Sequence, residues 1–93
     1  MNTNAKGARG EREFRGIKEI EGYLVVRAGG SLGPFDLIGV RKDGGFLAQV
    51  KNGYEISDKD KEKIREFKNY PTNFIKLAAS RLRGGKWEVE IIP

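Results

Sequence analysis

Apolar residues in this chain fall into short runs separated by polar, glycine-rich breaks, and in two stretches they recur at helical spacing instead. Phe14, Ile17 and Ile20 share one flank of a predicted helix from Gly7 to about Glu21, which Gly22 ends. Tyr23 to Ala28 reads as a strand, and Gly29-Gly30-Ser31-Leu32-Gly33-Pro34 as a loop. Phe35-Asp36-Leu37-Ile38-Gly39-Val40 and Phe46-Leu47-Ala48-Gln49-Val50-Lys51 read as two buried strands joined by the polar turn Arg41 to Gly45. Ser57-Asp58-Lys59-Asp60 has the character of a capping box and predicts a second helix to about Asn69, with Ile64 and Phe67 as its apolar contacts. Pro71 forbids continuation. Asn73–Ser80 and Lys86–Ile92 read as a last pair of strands, turning near Gly84-Gly85. The order is helix, three strands, helix, two strands. It predicts an α/β domain with a mixed sheet, a single unit over residues 1–93 whose polar start, Met1 to Ala5, is expected to be loose.

Composition narrows the chemistry. Lys and Arg total 18 against 13 acids, a net charge of +5 in 93 residues, which favours an anionic partner. The chain has no Cys, so it has no disulfide framework and no zinc–thiolate site. It has no His, which removes Ser-His-Asp triads and His-ligated metal centres. Any catalysis must come from carboxylates, Lys, Tyr and a hard, oxygen-bound cation. No signal-peptide pattern and no apolar run near 18 residues appears, so a soluble cytoplasmic protein that does not engage a membrane is expected.

The hairpin supplies those groups. In an antiparallel pair, the start of the first strand lies beside the end of the second, which brings Asp36 near Lys51. Side chains alternate along a strand, so Gln49 and Lys51 share a face. An acid, an amide and an ammonium therefore converge at one end of the hairpin, an arrangement that suits a divalent cation and a phosphate.

The spacing of Asp36, Gln49 and Lys51 resembles the motif of the PD-(D/E)xK nuclease superfamily. Phe35 separates Pro34 from Asp36, and Gln49 stands where an acid is usual. The wider order is Lys6-Gly7-Ala8, Glu11-Arg12-Glu13, Gly22 to Ser31, Asp36, Gln49-Val50-Lys51, Leu77-Ala78-Ala79 and Gly85 to Val89. It resembles the archaeal-type Holliday-junction resolvases from Lys6 to about Ile91, with compact phage proteins in the same wider group.

The resemblance implies a restriction-endonuclease-like mixed β-sheet flanked by helices. It also implies a metal-dependent endonuclease that resolves branched double-stranded DNA, four-way junctions above all, leaving 5′ phosphate and 3′ hydroxyl ends. Glu11, Asp36, Gln49 and Lys51 would be catalytic. Glu11, Asp36, Gln49 and the main-chain carbonyl of Val50 would hold Mg²⁺, with Mn²⁺ as a substitute. Lys6, Arg9, Arg12, Arg27, Gly30 and Ser31 would contact DNA. A junction has approximate two-fold symmetry, so a homodimer is expected.

Some points stay open. Motif position favours Glu11 as the helix carboxylate, whereas helical periodicity favours Glu13. Arg15, Arg81, Arg83 and Lys86 are further candidates for phosphate contact. Tyr54 and Trp87 are expected to pack or to meet a second subunit. Trp87, Val89 and Ile91 alternate in a way that suits either a core or a dimer contact. A nuclease for flaps or nicked duplex, and a non-catalytic DNA-binding module, are the alternative readings.

Overall fold

The computed structural model describes the backbone of residues 3–29 and 32–93, and side chains from residue 8 onward within that range. The elements are α1 (Thr3–Ile20), β1 (Leu24–Arg27), β2 (Leu37–Arg41), β3 (Gly44–Asn52), α2 (Asp58–Glu66), β4 (Phe74–Arg81) and β5 (Trp87–Ile91). Helix α1 starts four residues ahead of the expected Gly7. Helix α2 is capped as predicted, the Ser57 hydroxyl accepting from the Asp60 N–H at 3.2 Å. It ends at Glu66, short of Asn69, because Phe67 already has extended backbone.

The strands lie side by side in sequence order, β1-β2-β3-β4-β5. The β1–β2, β2–β3 and β4–β5 pairs are antiparallel, and β3–β4 is parallel with α2 as its crossover. This is the mixed α/β sheet that the pattern of runs predicts. The β2–β3 turn is tighter than Arg41 to Gly45. Arg41 pairs with Gly44, leaving only Lys42 and Asp43 in the turn. Gly44 has φ +153°, and a methyl there would meet the Asn73 carbonyl oxygen at 2.3 Å, so that position accepts no side chain.

Each face of the sheet carries a helix over its own apolar cluster. Phe14, Val25, Leu37, Phe46, Ala48, Val50, Leu77 and Ala79 pack beneath α1, with Trp87 against them. Phe35, Leu47, Ile56, Ile64, Ala78 and Ile92 pack on the α2 side. Successive β3 residues alternate between these clusters, as pleating requires. Glycine at position 39 leaves room for the Phe46 ring, which lies across it from the paired strand. Gly10 brings α1 down onto β3, where a methyl would sit 2.8 Å from Asn52 Cβ.

One expectation about the core fails. Ile20 is 89% exposed, although Phe14 is buried. The two lie six positions apart, about 240° around a helix turning about 100° per residue, so they cannot face one floor. Val89 and Ile91 are also exposed, and of the β5 alternation only Trp87 is partly buried. Helix α1 lies mainly over β1, β2 and β3 and meets β5 at Trp87, whose ring packs against Phe14.

Candidate active site

The β2–β3 register fixes the site. Leu37 pairs with Ala48, so Asp36 follows in line opposite Gln49, and Lys51 lies two residues beyond. Asp36 begins where the β2 ladder ends. Its N–H donates to the Ala48 carbonyl at 2.8 Å, and its Oδ2 accepts from the Val50 N–H at 2.8 Å. The N–H and C=O of one strand residue point to the same side. The Val50 carbonyl therefore lies on the Asp36 side, past the last β2 pair.

Asp36 is partly buried. Burial pushes its carboxyl pKa up, and the Val50 N–H together with the charges of Lys51 and Arg27 opposes that rise. Gln49 is 8% exposed, and among the described residues its Oε1 is the buried side-chain atom with no hydrogen-bond partner. An orphaned buried acceptor is costly, and a bound cation is one way of satisfying it. The Lys51 ammonium stands 5.9 Å from the centre of the exposed Tyr54 ring.

The helix carboxylates part company. Glu11 Oε1 accepts from Arg27 Nε at 3.1 Å, on the side of the site. Glu13 faces the opposite flank, where both its oxygens accept from Arg81 Nε at 3.0 and 3.1 Å and Oε1 also accepts from Trp87 Nε1 at 2.9 Å. The Trp87 and Arg81 hydrogen bonds pull its pKa down. Periodicity favours Glu13 only if Ile20 marks the buried flank, and Ile20 does not. The structure brings Glu11 to the Asp36 end of the sheet through Arg27 and makes Glu13 a clamp between α1 and the β4–β5 edge. Arg81, a further candidate for phosphate contact, has its Nε held by that clamp.

Among the basic candidates, Arg12, Arg15 and Arg27 line one cleft of about 140 Å³ with Ala8, Glu11 and Leu37. Arg9 is exposed on α1. The side chain of Lys6 and the whole of Gly30 and Ser31 lie outside the described residues. Sequence reasoning missed Lys76, which is 1% exposed and donates to the carbonyls of Ile64, Arg65 and Phe67 at 2.7, 3.2 and 2.9 Å. Its signal is a charge inside the apolar run Phe74 to Ala79. The pairing of Arg27 with Glu11 was also missed, because they lie sixteen positions apart on different elements, α1 and β1.

No family model and no curated protein matches the chain. Among solved structures, it superposes on Hjc from Archaeoglobus fulgidus, a Holliday junction resolvase from an archaeal hyperthermophile, with a TM-score of 0.73. The match covers 94% of this chain and 73% of that one at 21% identity. The chain has the fold of an archaeal Holliday-junction resolvase. The mixed sheet, the helix on either face and the single compact unit that the sequence resemblance implies are those of the resolvase fold. Among the described residues, no helix is long and apolar enough to cross a membrane.

Resolvases of this fold generally use divalent metals. Among the described residues no group of three His, Cys, Asp or Glu could hold one. The available donors are the Asp36 carboxylate, the Gln49 amide oxygen and the Val50 carbonyl, an all-oxygen set fitting a hard cation such as Mg²⁺. The unsatisfied, buried Gln49 Oε1 supports the fit from the protein's own geometry.

Proposed function

We propose that this protein is a metal-dependent endonuclease for branched DNA, with four-way junctions as its principal substrate. The observation that carries the reading is the buried, unpartnered Oε1 of Gln49, which the β2–β3 register sets opposite Asp36 at the strand ends of a resolvase fold. Asp36, Gln49 and the Val50 carbonyl hold Mg²⁺ or Mn²⁺, with Glu11 available from α1. When bound, such a cation supplies charge neutralisation at the scissile phosphate and a lowered pKa for the attacking water.

The rest falls to the chain. Asp36 must be ionised to serve as a ligand, and Lys51 and Arg27 favour that form. Lys51 donates to the scissile phosphate and stabilises charge developing there. Lys6, Arg9, Arg12 and Arg27 hold the phosphodiester backbone, which positions DNA without reading its sequence, and Gly30 and Ser31 are further DNA contacts. Two nicks related by two-fold symmetry, each leaving 5′ phosphate and 3′ hydroxyl ends, call for a homodimer, since one chain carries one site. The exposed Val89 and Ile91 on β5 suit a contact between subunits now that they are not core. DNA as the substrate implies work inside the cell, whether cellular or phage in origin.

The test is a panel of labelled four-way junctions, flaps, nicked duplex and linear duplex, each incubated with Mg²⁺ and with Mn²⁺. Paired symmetric nicks on junctions support the reading. Preference for flaps or nicks would reassign the substrate. Binding without metal-dependent cleavage would favour the non-catalytic module, to which the neutral Gln49 gives some weight. Lys51→Ala should bind junctions like the wild type and fail to cut them, and a variant that cuts at the wild-type rate would remove Lys51 from the mechanism.

A further inference from the structure

Arg27 is the last residue of β1, and both carboxylates of the proposed site feel its charge. Its guanidinium is tied to Glu11 Oε1 at 3.1 Å, and its charge also acts on Asp36. The two partners are unequally placed, the Glu11 side chain being 18% exposed and that of Arg27 67% exposed. The arginine can therefore be reached from solvent while the carboxylate largely cannot. It also lines the cleft with Arg12 and Arg15, so a phosphate entering there meets three guanidiniums and one carboxylate already claimed by one of them.

The charges sharpen the picture. Glu11 and Asp36 are balanced by Arg27 and Lys51, and Gln49 contributes nothing where an acid would add a negative charge. In the free protein these four charges cancel, Arg12 and Arg15 add positive charge in the same cleft, and the site exerts little net pull on a divalent cation. Its second carboxylate is engaged elsewhere, and its third oxygen donor, Gln49 Oε1, is left without a partner. A DNA phosphate changes both conditions. It adds negative charge, and it offers Arg27 a bidentate partner of the kind guanidinium prefers.

We infer that Arg27 is a counter-ion exchanged between Glu11 and the DNA backbone: phosphate binding draws Arg27 off Glu11, the released carboxylate completes the cation site, and DNA and metal therefore bind cooperatively. The inference rests on the proposed metal-dependent reading and concerns how the site is loaded. Arg27 acts as a positioning residue, through Glu11. Coupling between ligands is reciprocal, so metal must tighten junction binding by the same factor by which the junction tightens metal binding.

The experiment measures Mn²⁺ binding by the loss of the free-ion electron paramagnetic resonance signal. The wild type, Arg27→Gln and the double variant Arg27→Gln/Glu11→Gln are titrated without DNA. The wild type and Arg27→Gln are then titrated with a four-way junction carrying phosphorothioate linkages that resist cleavage, with the signal of junction alone subtracted. Without DNA, Arg27→Gln should bind Mn²⁺ about 10-fold more tightly than the wild type, and the double variant should lose that gain. The junction should tighten Mn²⁺ binding to the wild type by a similar factor and have a much smaller effect on Arg27→Gln.

Equal Mn²⁺ affinity for the wild type with and without junction would overturn the exchange and leave the nuclease reading intact. A gain retained in the double variant would also overturn it, because Glu11 would then not be the ligand that Arg27 withholds from the metal. Failure of every protein to bind Mn²⁺, with and without junction, would sink both the exchange and the metal-dependent reading beneath it. Arg27 is exposed at a strand end, so Arg27→Gln is expected to fold, and equal wild-type affinities with and without junction refute the exchange even if it does not.

Discussion

Lys76→Met tests whether a buried ammonium holds α2 to the sheet. Lys76 rises from β4 and ends against the last turn of α2, where Ile64, Arg65 and Phe67 present their carbonyls. Such carbonyls lack intrahelical partners, and the helix dipole favours a cation beside them. The Tyr70 ring, centred 5.0 Å from the ammonium, covers another side. Hydrogen bonds to a charged group are worth about 1.5–3 kcal/mol each, so three would set an upper bound of roughly 5–9 kcal/mol. Much of that is not lost. Ile64 keeps the Phe67 N–H as a donor at 3.2 Å, and the carbonyls of Arg65 and Phe67 are only partly buried, so water can replace the amine there.

Burial also disfavours the ammonium, with Lys68 and Arg65 adding repulsion, and its pKa is pushed down. Methionine matches the stem in length and escapes that cost. The balance is a loss of about 2–3 kcal/mol, which for a domain of this size lowers the melting temperature by roughly 10–20 °C. Urea unfolding followed by circular dichroism at pH 7 measures it. Replacing both partners of a buried polar contact is often neutral, but removing one leaves the other unsatisfied. A Lys76→Met protein within about 0.5 kcal/mol of the wild type would show that the carbonyls do not depend on the amine, and the reasoning would fail.

Gly39→Ala should destabilise by about 1–3 kcal/mol, because its Cβ would lie 2.0 Å from Cε2 of the fully buried Phe46; an unchanged unfolding midpoint would show that the ring can move aside. Asp36→Asn should raise the stability of the metal-free protein at neutral pH while removing metal binding. A carboxyl whose folded pKa is raised gives its stability below the unfolded value near 3.8 and loses it as pH rises through the folded value, so the gain over wild type should vanish towards acid; a gain independent of pH would refute this. Glu13→Gln should melt below the wild type at pH 7 and approach it in acid, since a depressed pKa gives stability above the unfolded value that is lost as pH falls. Because Glu13 faces away from the site, that variant should keep any nuclease activity, and a loss of cleavage with intact folding would contradict the placement.

The sequence by itself determined the order and kind of the elements, because each is written locally. Alternation marks strands, three- and four-residue recurrence marks helices, and Ser57, Gly22 and Pro71 punctuate them. It also determined that Asp36, Gln49 and Lys51 meet, since a short turn between two alternating runs leaves little freedom of register. The tertiary structure decided whatever depended on how one element sits upon another. Periodicity gives a helix its faces but not which face points down. In the structure Gly10 sits close against Asn52 and Phe14 is buried, and with that face down Ile20 is exposed, Glu11 meets Arg27, and Glu13 is held by Arg81 and Trp87. Lys76 is of the same kind. In sequence it is a charge interrupting a strand, and only the end of α2, docked on the opposite side of the sheet from α1, supplies the carbonyls that allow an ammonium to be buried there.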